Sequence, residues 1–278
     1  MNCACLAVVV LYLLIALLSC TPLMERLIKE VVGGSYDAPN FHKISTILGT
    51  DVLGRSVLWR VLYGTRIALT IAIMASAIEV TVGILLGLLA GYFGGWIDAL
   101  VLWLISTFAG VPWLLLVIAF AYVLQGQTVF GVTLSPLMIV ILALGLTGWV
   151  GLSRLIRAEV MKLRDRDYVI AARAIGASTP RIIYRHILPN VFHLVLINLS
   201  IGAVGYMQSE VALSFLGLGV SDRPSWGRMI DDAKLELLRG VWWQIVPATV
   251  ALYLISQALN LLGDAMRDAL DPRLRGVA

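Results

Sequence analysis

Few side chains in this sequence have the type and spacing that catalysis needs. The three histidines, His42, His186 and His193, belong to no pattern that pairs a nucleophile with a base. The sequence also contains no Gly-x-x-x-x-Gly-Lys-Ser/Thr phosphate loop, the usual means of binding ATP. We therefore predict that the chain has no catalytic residue, is not an enzyme and binds no cofactor.

The cysteines do not indicate a metal site. Cys3, Cys5 and Cys20 all lie in or beside the first apolar stretch. An odd number of cysteines in such a stretch supports neither a disulfide framework nor a zinc site. We interpret them as small apolar side chains.

Two carboxylates attract attention because they interrupt apolar runs. Glu79 lies midway through one run, and Glu210 lies in another near Gln208. Asn198 is a weaker candidate for the same role. A charge at the bilayer centre costs about 2.5–3.5 kcal/mol, so each carboxylate should face other helices or a wet cavity. Two interpretations stay open for them: lining of a transport pore, or a structural hydrogen bond or protonated carboxyl group between spans.

The composition places most of the chain in a membrane. Of 278 residues, 60% are hydrophobic and 14% are charged, and the mean hydropathy is +0.91. Soluble domains carry about 25% charged residues. The formal net charge is +4, but the basic residues are spread between apolar runs, as in loops beside membrane spans. We expect contact with a lipid bilayer and no binding of nucleic acid.

Six apolar runs predict the fold. A helix needs about 20 apolar residues to cross the hydrocarbon core. Six stretches reach or approach this length, at residues 3–19, 67–90, 99–124, 134–152, 191–218 and 241–262. The sequence therefore predicts an all-α polytopic membrane protein with about six transmembrane helices.

These runs suggest three parts. Residues 1–66 hold the first helix and an outer segment, residues 67–264 hold a five-helix core with a loop at 154–189, and residues 265–278 form a tail. The first run also resembles a signal peptide, with Leu17-Leu18-Ser19-Cys20 similar to a lipoprotein cleavage box. No basic segment precedes it, so we expect a retained helix.

Basic residues set the predicted orientation. The segment 154–185 contains eight Lys or Arg residues, and the tail adds others. Six crossings place both segments on one side of the membrane, and their positive charge makes that side cytoplasmic. Both termini are then predicted to be cytoplasmic.

Residues 168–189, which we call the elbow, carry the most specific local pattern. The alanines within 171–174 favour a short helix, and Gly176 favours its termination. In Thr179-Pro180 the threonine is predicted to cap a second short helix whose first position the proline takes. Pro189 is expected to break the chain before the fifth span.

The elbow resembles the loop shared by the membrane subunits of binding-protein-dependent ABC importers of type I. That motif runs Glu-Ala-Ala, three residues, Gly, nine residues, Ile, one residue and Leu-Pro. Here Ile170 stands in place of the Glu and His186 in place of the Ile. The resemblance implies that the elbow is a coupling helix that docks on a cytosolic ATPase through Ala171, Ala172, Arg173, Gly176, Ala177, Leu188 and Pro189.

Further stretches are similar to the dipeptide, oligopeptide and nickel branch of that family, and in particular to the second, shorter permease of a heteromeric pair. They lie at residues 48–55, 63–66, 91–98, 214–219, 225–227, 260–264, 267–268 and 270–273. The resemblance implies that a loop at 219–240 meets the binding protein. From the residues, Asp51 is expected near the start of a capped amphipathic helix at the membrane surface.

The resemblance also implies partners and a location. The partners are a second, longer permease, two cytosolic ATPase subunits that hold ATP and magnesium, and a periplasmic solute-binding protein, in a bacterial inner membrane. The cargo is a di- or oligopeptide, nickel or a related small solute. An ion-gradient-driven secondary transporter and a membrane sensor or scaffold are the alternative interpretations.

Overall fold

Helices make up nearly all of the regular structure in the computed structural model, which describes residues 2–129 and 131–270. Two short strands, β1 (Thr128–Val129) and β2 (Val132–Thr133), pair antiparallel in one connecting loop. The helices are α1 (Asn2–Leu18), α2 (Pro22–Leu27), α3 (Val57–Phe93), α4 (Gly95–Ala109), α5 (Trp113–Leu124), α6 (Pro136–Arg164), α7 (Asp167–Ala174), α8 (Thr179–Ile182), α9 (Leu188–Phe215), α10 (Trp226–Ala233) and α11 (Ile245–Leu270).

The long apolar helices confirm the predicted all-α membrane architecture. Within the described residues, four helical stretches are long and apolar enough to cross a bilayer: α3, α6, Thr179–Phe215 and Ile245–Arg267. The bent pair of α4 and α5 makes a fifth if it counts as one span. The shorter apolar helix Ala4–Leu18 corresponds to the first predicted run. The chain is therefore an integral membrane protein.

The third predicted span is not one straight helix. α4 and α5 meet at a bend of 92° across residues 110–112. Pro112 lies directly before α5, where it cannot continue the ladder of α4 because it has no N–H, and it disfavours helical geometry at Val111. The prediction of a single continuous span over 99–124 was wrong on this point.

Several boundaries also differ from those predicted. α3 begins ten residues before the run at 67–90, at a cap in which the Ser56 hydroxyl accepts the Trp59 amide at 3.5 Å. The division at residues 66–67 therefore falls inside a helix. α6 continues to Arg164, so the first part of the predicted loop 154–189 is helical. Within the predicted tail, residues 265–270 belong to α11 and residues 271–278 lie outside the described part of the chain.

Glycines bring α3 and α6 into close contact along parallel axes. A Cβ atom at Gly87 would lie 2.7 Å from Cβ of Ile156, and one at Gly91 would lie 2.7 Å from Cβ of Val160. Small residues at four-residue spacing allow helix backbones to approach in this way inside membranes. Because both helices run in the same direction, α4 and α5 must together return the chain across the bundle.

The first helix is part of the bundle. The Tyr12 hydroxyl donates to the carbonyl of Ala251 in α11 at 2.9 Å, and its ring packs edge-on against Trp226 with 6.2 Å between centroids. The Ser19 hydroxyl lies 3.2 Å from the carbonyl of Leu62 in α3. These contacts support the interpretation of α1 as a retained helix.

The outer segment contains no helix at the predicted position. The Asp51 carboxylate accepts the backbone amides of Leu53 and Arg55 at 2.8 and 2.9 Å. This geometry closes a tight turn, in which Gly54 has a φ of +72°. The expectation of an amphipathic helix beginning near Asp51 was therefore wrong, because its carboxylate satisfies a turn instead of a helix N-terminus.

Candidate functional site

The first half of the elbow ends in a Schellman turn. The Gly176 amide donates to the carbonyl of Arg173 at 3.1 Å, and the Ala177 amide donates to that of Ala172 at 3.0 Å. Gly176 has a φ of +82°, which glycine adopts without a steric cost. The predicted helix termination at Gly176 is confirmed.

The second short helix of the elbow begins one residue earlier than predicted. α8 begins at Thr179, with Ser178 in extended geometry at the N-cap position and Pro180 in the first turn. Thr179 is therefore the first helical residue and not the cap. Proline fits here because an N–H group in the first turn of a helix has no acceptor within the helix, so its absence costs no hydrogen bond.

Pro189 does not break the chain. A π-turn, Ile183–Ile187, joins α8 to α9, and the amide of Leu188 donates five residues back to the carbonyl of Ile183. The wider turn accommodates a proline that would otherwise clash with the preceding helical turn. The fifth span consequently runs as one helical stretch from Thr179 to Phe215, so the elbow and this span are continuous.

The elbow has a buried face that anchors it to the bundle. Four of its side chains pack in a cluster with Leu152, Ile156 and Val160 of α6: Val169, Ala172, Ile182 and Ile187. Ala172, one of the predicted docking residues, thus faces the protein's own core. Its methyl group is not available to a partner, which corrects that part of the predicted docking surface.

The opposite face is exposed and mainly apolar. Ala171, Arg173 and Gly176 lie on it, together with Ile170 and with Ile175, which is 87% exposed. Of the remaining predicted docking residues, Pro189 is exposed while Ala177 and Leu188 are half-buried. This exposed face can contact another protein through small and apolar side chains.

Three contacts tie the elbow and its neighbourhood to the ends of other helices. Arg164 donates through Nη1 to the Gly91 carbonyl at 3.0 Å, and the Arg173 guanidinium lies 5.9 Å from the centroid of the Tyr92 ring. Arg157 forms a two-point ion pair with Asp98 of α4. The elbow therefore contacts the end of α3 directly, and the end of α6 that precedes the elbow is held to α3 and α4.

Glu79, Asn198 and the hydroxyl of Tyr206 form a buried cluster between α3 and α9. One carboxylate oxygen of Glu79 accepts from Asn198 Nδ2 and the other accepts from Tyr206 Oη, each at 2.6 Å. A Cβ atom at Gly202 would lie 3.3 Å from the second oxygen, so glycine makes room for the carboxylate. The structure joins two of the three candidate polar residues and adds Tyr206, which nothing in the sequence distinguished from the other tyrosines.

Glu210 has a separate environment. Its first carboxylate oxygen accepts the hydroxyls of Ser214 at 3.0 Å and Ser225 at 2.7 Å, and its second accepts the Gly227 amide at 3.3 Å. Glu210 as a whole is only 2% exposed. These contacts hold the start of α10 against α9, and this geometry favours the structural interpretation of Glu210 over a lining of the pore.

A charged cavity of about 460 Å³, not predicted from the sequence, lies at the other end of α3. Arg60 is buried there and forms an ion pair with Asp51, which Arg55 Nε also contacts at 2.8 Å. Partial burial alone would lower the pKa of Arg223, but the interactions with Tyr63 and Asp222 outweigh it, so the pKa lies above its usual value. Arg60 gave no signal because it is one basic residue in the first turn of an apolar helix.

Comparisons with known proteins agree with this arrangement. The family described as binding-protein-dependent transport system inner membrane component matches residues 83–276. The dipeptide transport system permease protein DppC of Bacillus subtilis is 39% identical over 228 residues, which are 82% of this chain and 68% of that protein. The glutathione transport system permease protein GsiD of Escherichia coli O6:K15:H31 is 34% identical over 251 residues, covering 87% and 80%.

Solved structures share the fold. A chain of the MetNI methionine ABC transporter in an inward-facing conformation matches with a TM-score of 0.58 at 16% identity, over 77% of this chain and 97% of that chain. A chain of an amino acid ABC transporter matches with a TM-score of 0.54 at 18% identity, over 75% and 93%. At these identities the similarity concerns the fold alone.

Proposed function

Because the chain belongs to the family of binding-protein-dependent transport system inner membrane components, we propose that it forms half of the translocation pore of an ATP-driven importer of di- or oligopeptides. Family membership makes it a transport subunit of a membrane, with no catalytic role expected. The relatives are named as dipeptide, oligopeptide and glutathione transport permeases, and these names support peptides as the substrate class.

The observation that carries the proposal is the construction of the elbow. Its Schellman turn is anchored on one face, exposed on the other and continuous with α9, so a partner that moves it also moves a membrane span. Ile170 is half-exposed in the position where the family motif has Glu, so it offers an apolar side chain to a partner there.

We propose that the complete transporter contains four kinds of subunit. Besides this chain, two cytosolic ATPase subunits hold ATP and magnesium and dock at the elbow. A second, longer permease completes the pore. A periplasmic binding protein delivers the peptide near the loop at 219–240. In this arrangement the elbow and both termini lie on the cytoplasmic side of a bacterial inner membrane, as the basic residues of 154–185 favour.

The cluster around Glu79 fits a role in transmission. Hydrogen bonds from Asn198 and Tyr206 couple α9 to α3, so motion of the elbow reaches both helices. Shifting a pore from 99:1 inward to 99:1 outward requires about 5.5 kcal/mol of differential binding. A rigid path from the ATPase to the spans allows this free energy to act on the pore.

Uptake into proteoliposomes tests the proposal. The subunits are reconstituted together, and entry of a labelled dipeptide is measured with and without ATP, with and without the binding protein, and after the ion gradients are collapsed by ionophores. We expect uptake that needs ATP and the binding protein and that resists ionophores. Uptake driven by an ion gradient without ATP would instead identify a secondary transporter.

A further inference from the structure

The charged cavity lies at the end of the bundle opposite the elbow. It is a half-open cleft lined by residues of 25–29 around the end of α2, by residues at the start of α3 and by residues of 221–232. From Arg60 in its wall to Tyr92 beside the elbow, α3 rises about 48 Å at 1.5 Å per residue. The volume of about 460 Å³ falls within the range of pockets that hold small ligands.

Charges of both signs line this cavity, with an excess of positive ones. Two pairs lie along its wall: Arg223 with Asp222 at 3.4 Å, and Arg228 with Asp232 at 3.0 Å. The cationic residues are Lys29, Arg55, Arg60, Arg223 and Arg228, and the acidic residues that face them are Glu25, Asp222 and Asp232. Mixed charges in one cleft suit a ligand that itself carries both signs.

Arg60 is the deepest of these groups. Its side chain is 10% exposed and contacts Asp51 through Nη1, and no other nitrogen of its guanidinium has an acceptor among residues 2–129 and 131–270. A guanidinium has five N–H donors. Because Arg60 lines the cavity, its remaining donors can bind a carboxylate there in bidentate geometry.

We propose that this cavity binds short peptides as zwitterions on their way to the pore, with the terminal carboxylate at Arg60 and Arg228 and the terminal ammonium at the acidic side chains of the wall. This inference rests on the proposed function, since it assigns a binding site to the same substrate class. It places the first selective contact with the peptide termini in the permease itself, at the end of the bundle where the substrate enters.

Uptake of a dipeptide and of its C-terminal amide tests this site in the complete transporter. Dialanine and dialanine amide are each supplied at a concentration that saturates the binding protein, so that its own selectivity cancels between variants. Arg228→Gln removes a cavity charge. Lys43→Gln is the matched control, because Lys43 is an exposed basic residue of the outer segment that lies outside both the cavity and the loop at 219–240.

We expect Arg228→Gln to lower dialanine uptake about tenfold, the size of one lost charge-assisted hydrogen bond, with uptake of the amide changed less than twofold. Lys29→Gln should also lower dialanine uptake, because it removes another positive charge from the cavity at an exposed position. Lys43→Gln should transport both peptides as the wild type does.

Other results separate this inference from the proposed function. An equal fall for both peptides, or no change for either, would overturn the cavity as a carboxylate site. Loss of the binding protein's stimulation of ATP hydrolysis in Arg228→Gln, with either peptide, would show that the arginines contact the binding protein instead. Absence of ATP-dependent uptake by the wild type would refute the proposed function itself, and this inference with it.

Discussion

Replacement of Gly176 tests whether the shape of the elbow couples an ATPase to the pore. Gly176 has a φ of +82°, and a Cβ atom added there meets nothing within 4 Å. The cost of a side chain is therefore purely conformational. A left-handed conformation costs an ordinary L-residue roughly 1–2 kcal/mol, whereas asparagine visits it readily.

These values predict an ordered series of variants. Gly176→Asn should retain the turn, Gly176→Ala should weaken it by about 1–2 kcal/mol, and Gly176→Val should weaken it further because its side chain is β-branched. A loss of 1.4 kcal/mol lowers the population of the formed turn relative to the unformed one tenfold. All variants should reach the membrane in normal amounts, since the spans are unchanged.

Two measurements follow the series. Co-purification of the ATPase subunits reports docking, and ATP-dependent peptide uptake in proteoliposomes reports coupling. Both should decline in the order Gly, Asn, Ala, Val at constant levels of the subunit. If the valine and asparagine variants dock and transport equally well, or lose both activities equally, the backbone conformation at Gly176 does not decide the outcome. Either result would refute the reasoning.

Three further predictions concern other parts of the chain. Glu210→Gln should leave the ratio of cationic to neutral peptide uptake unchanged, and a changed ratio would instead place Glu210 in the pore. Glu210→Ala should lower the free energy of unfolding by about 1–3 kcal/mol, because the donors that hold α10 against α9 would lose their buried acceptor. Gly87→Ala should destabilise the α3–α6 contact by about 1–3 kcal/mol in thermal unfolding, whereas Gly151→Ala should not, because its Cβ atom meets nothing within 4 Å; equal stabilities would contradict close packing. In a chain without native cysteines, Asp222→Cys should react with an impermeant maleimide in spheroplasts and Ser178→Cys only after lysis, and the reverse result would invert the proposed orientation.

Much of the architecture follows from local sequence. Long apolar runs form helices in a bilayer because an unpaired backbone N–H or C=O group is costly there. That constraint acts within each segment, so the apolar parts of α6, α9 and α11 could be located from the sequence. Their polar ends could not, and α6 continues to Arg164, well beyond the run that ends at residue 152. The exceptions lie at Pro112 and Pro189, where neighbouring turns decide whether proline bends a helix or is accommodated.

The elbow shows the same division on a smaller scale. Gly176 terminates α7 as predicted, because a Schellman turn depends on a few adjacent residues. Which face of the elbow is buried was not predictable, and Ala172 was assigned to the wrong one. That choice depends on how α7 packs against Leu152, Ile156 and Val160, which lie elsewhere in the chain.

By itself, the sequence determined that this chain resides in a membrane, that it forms mostly helices, and that it carries the coupling motif of its family. The tertiary structure decided the partners of the buried polar groups: Glu79 with Tyr206, Glu210 with Ser225, and Arg60 with Asp51. The physical reason is range. Apolar burial and backbone hydrogen bonding act on every residue of a span, whereas a polar contact needs two or three atoms from distant segments to meet within about 3 Å.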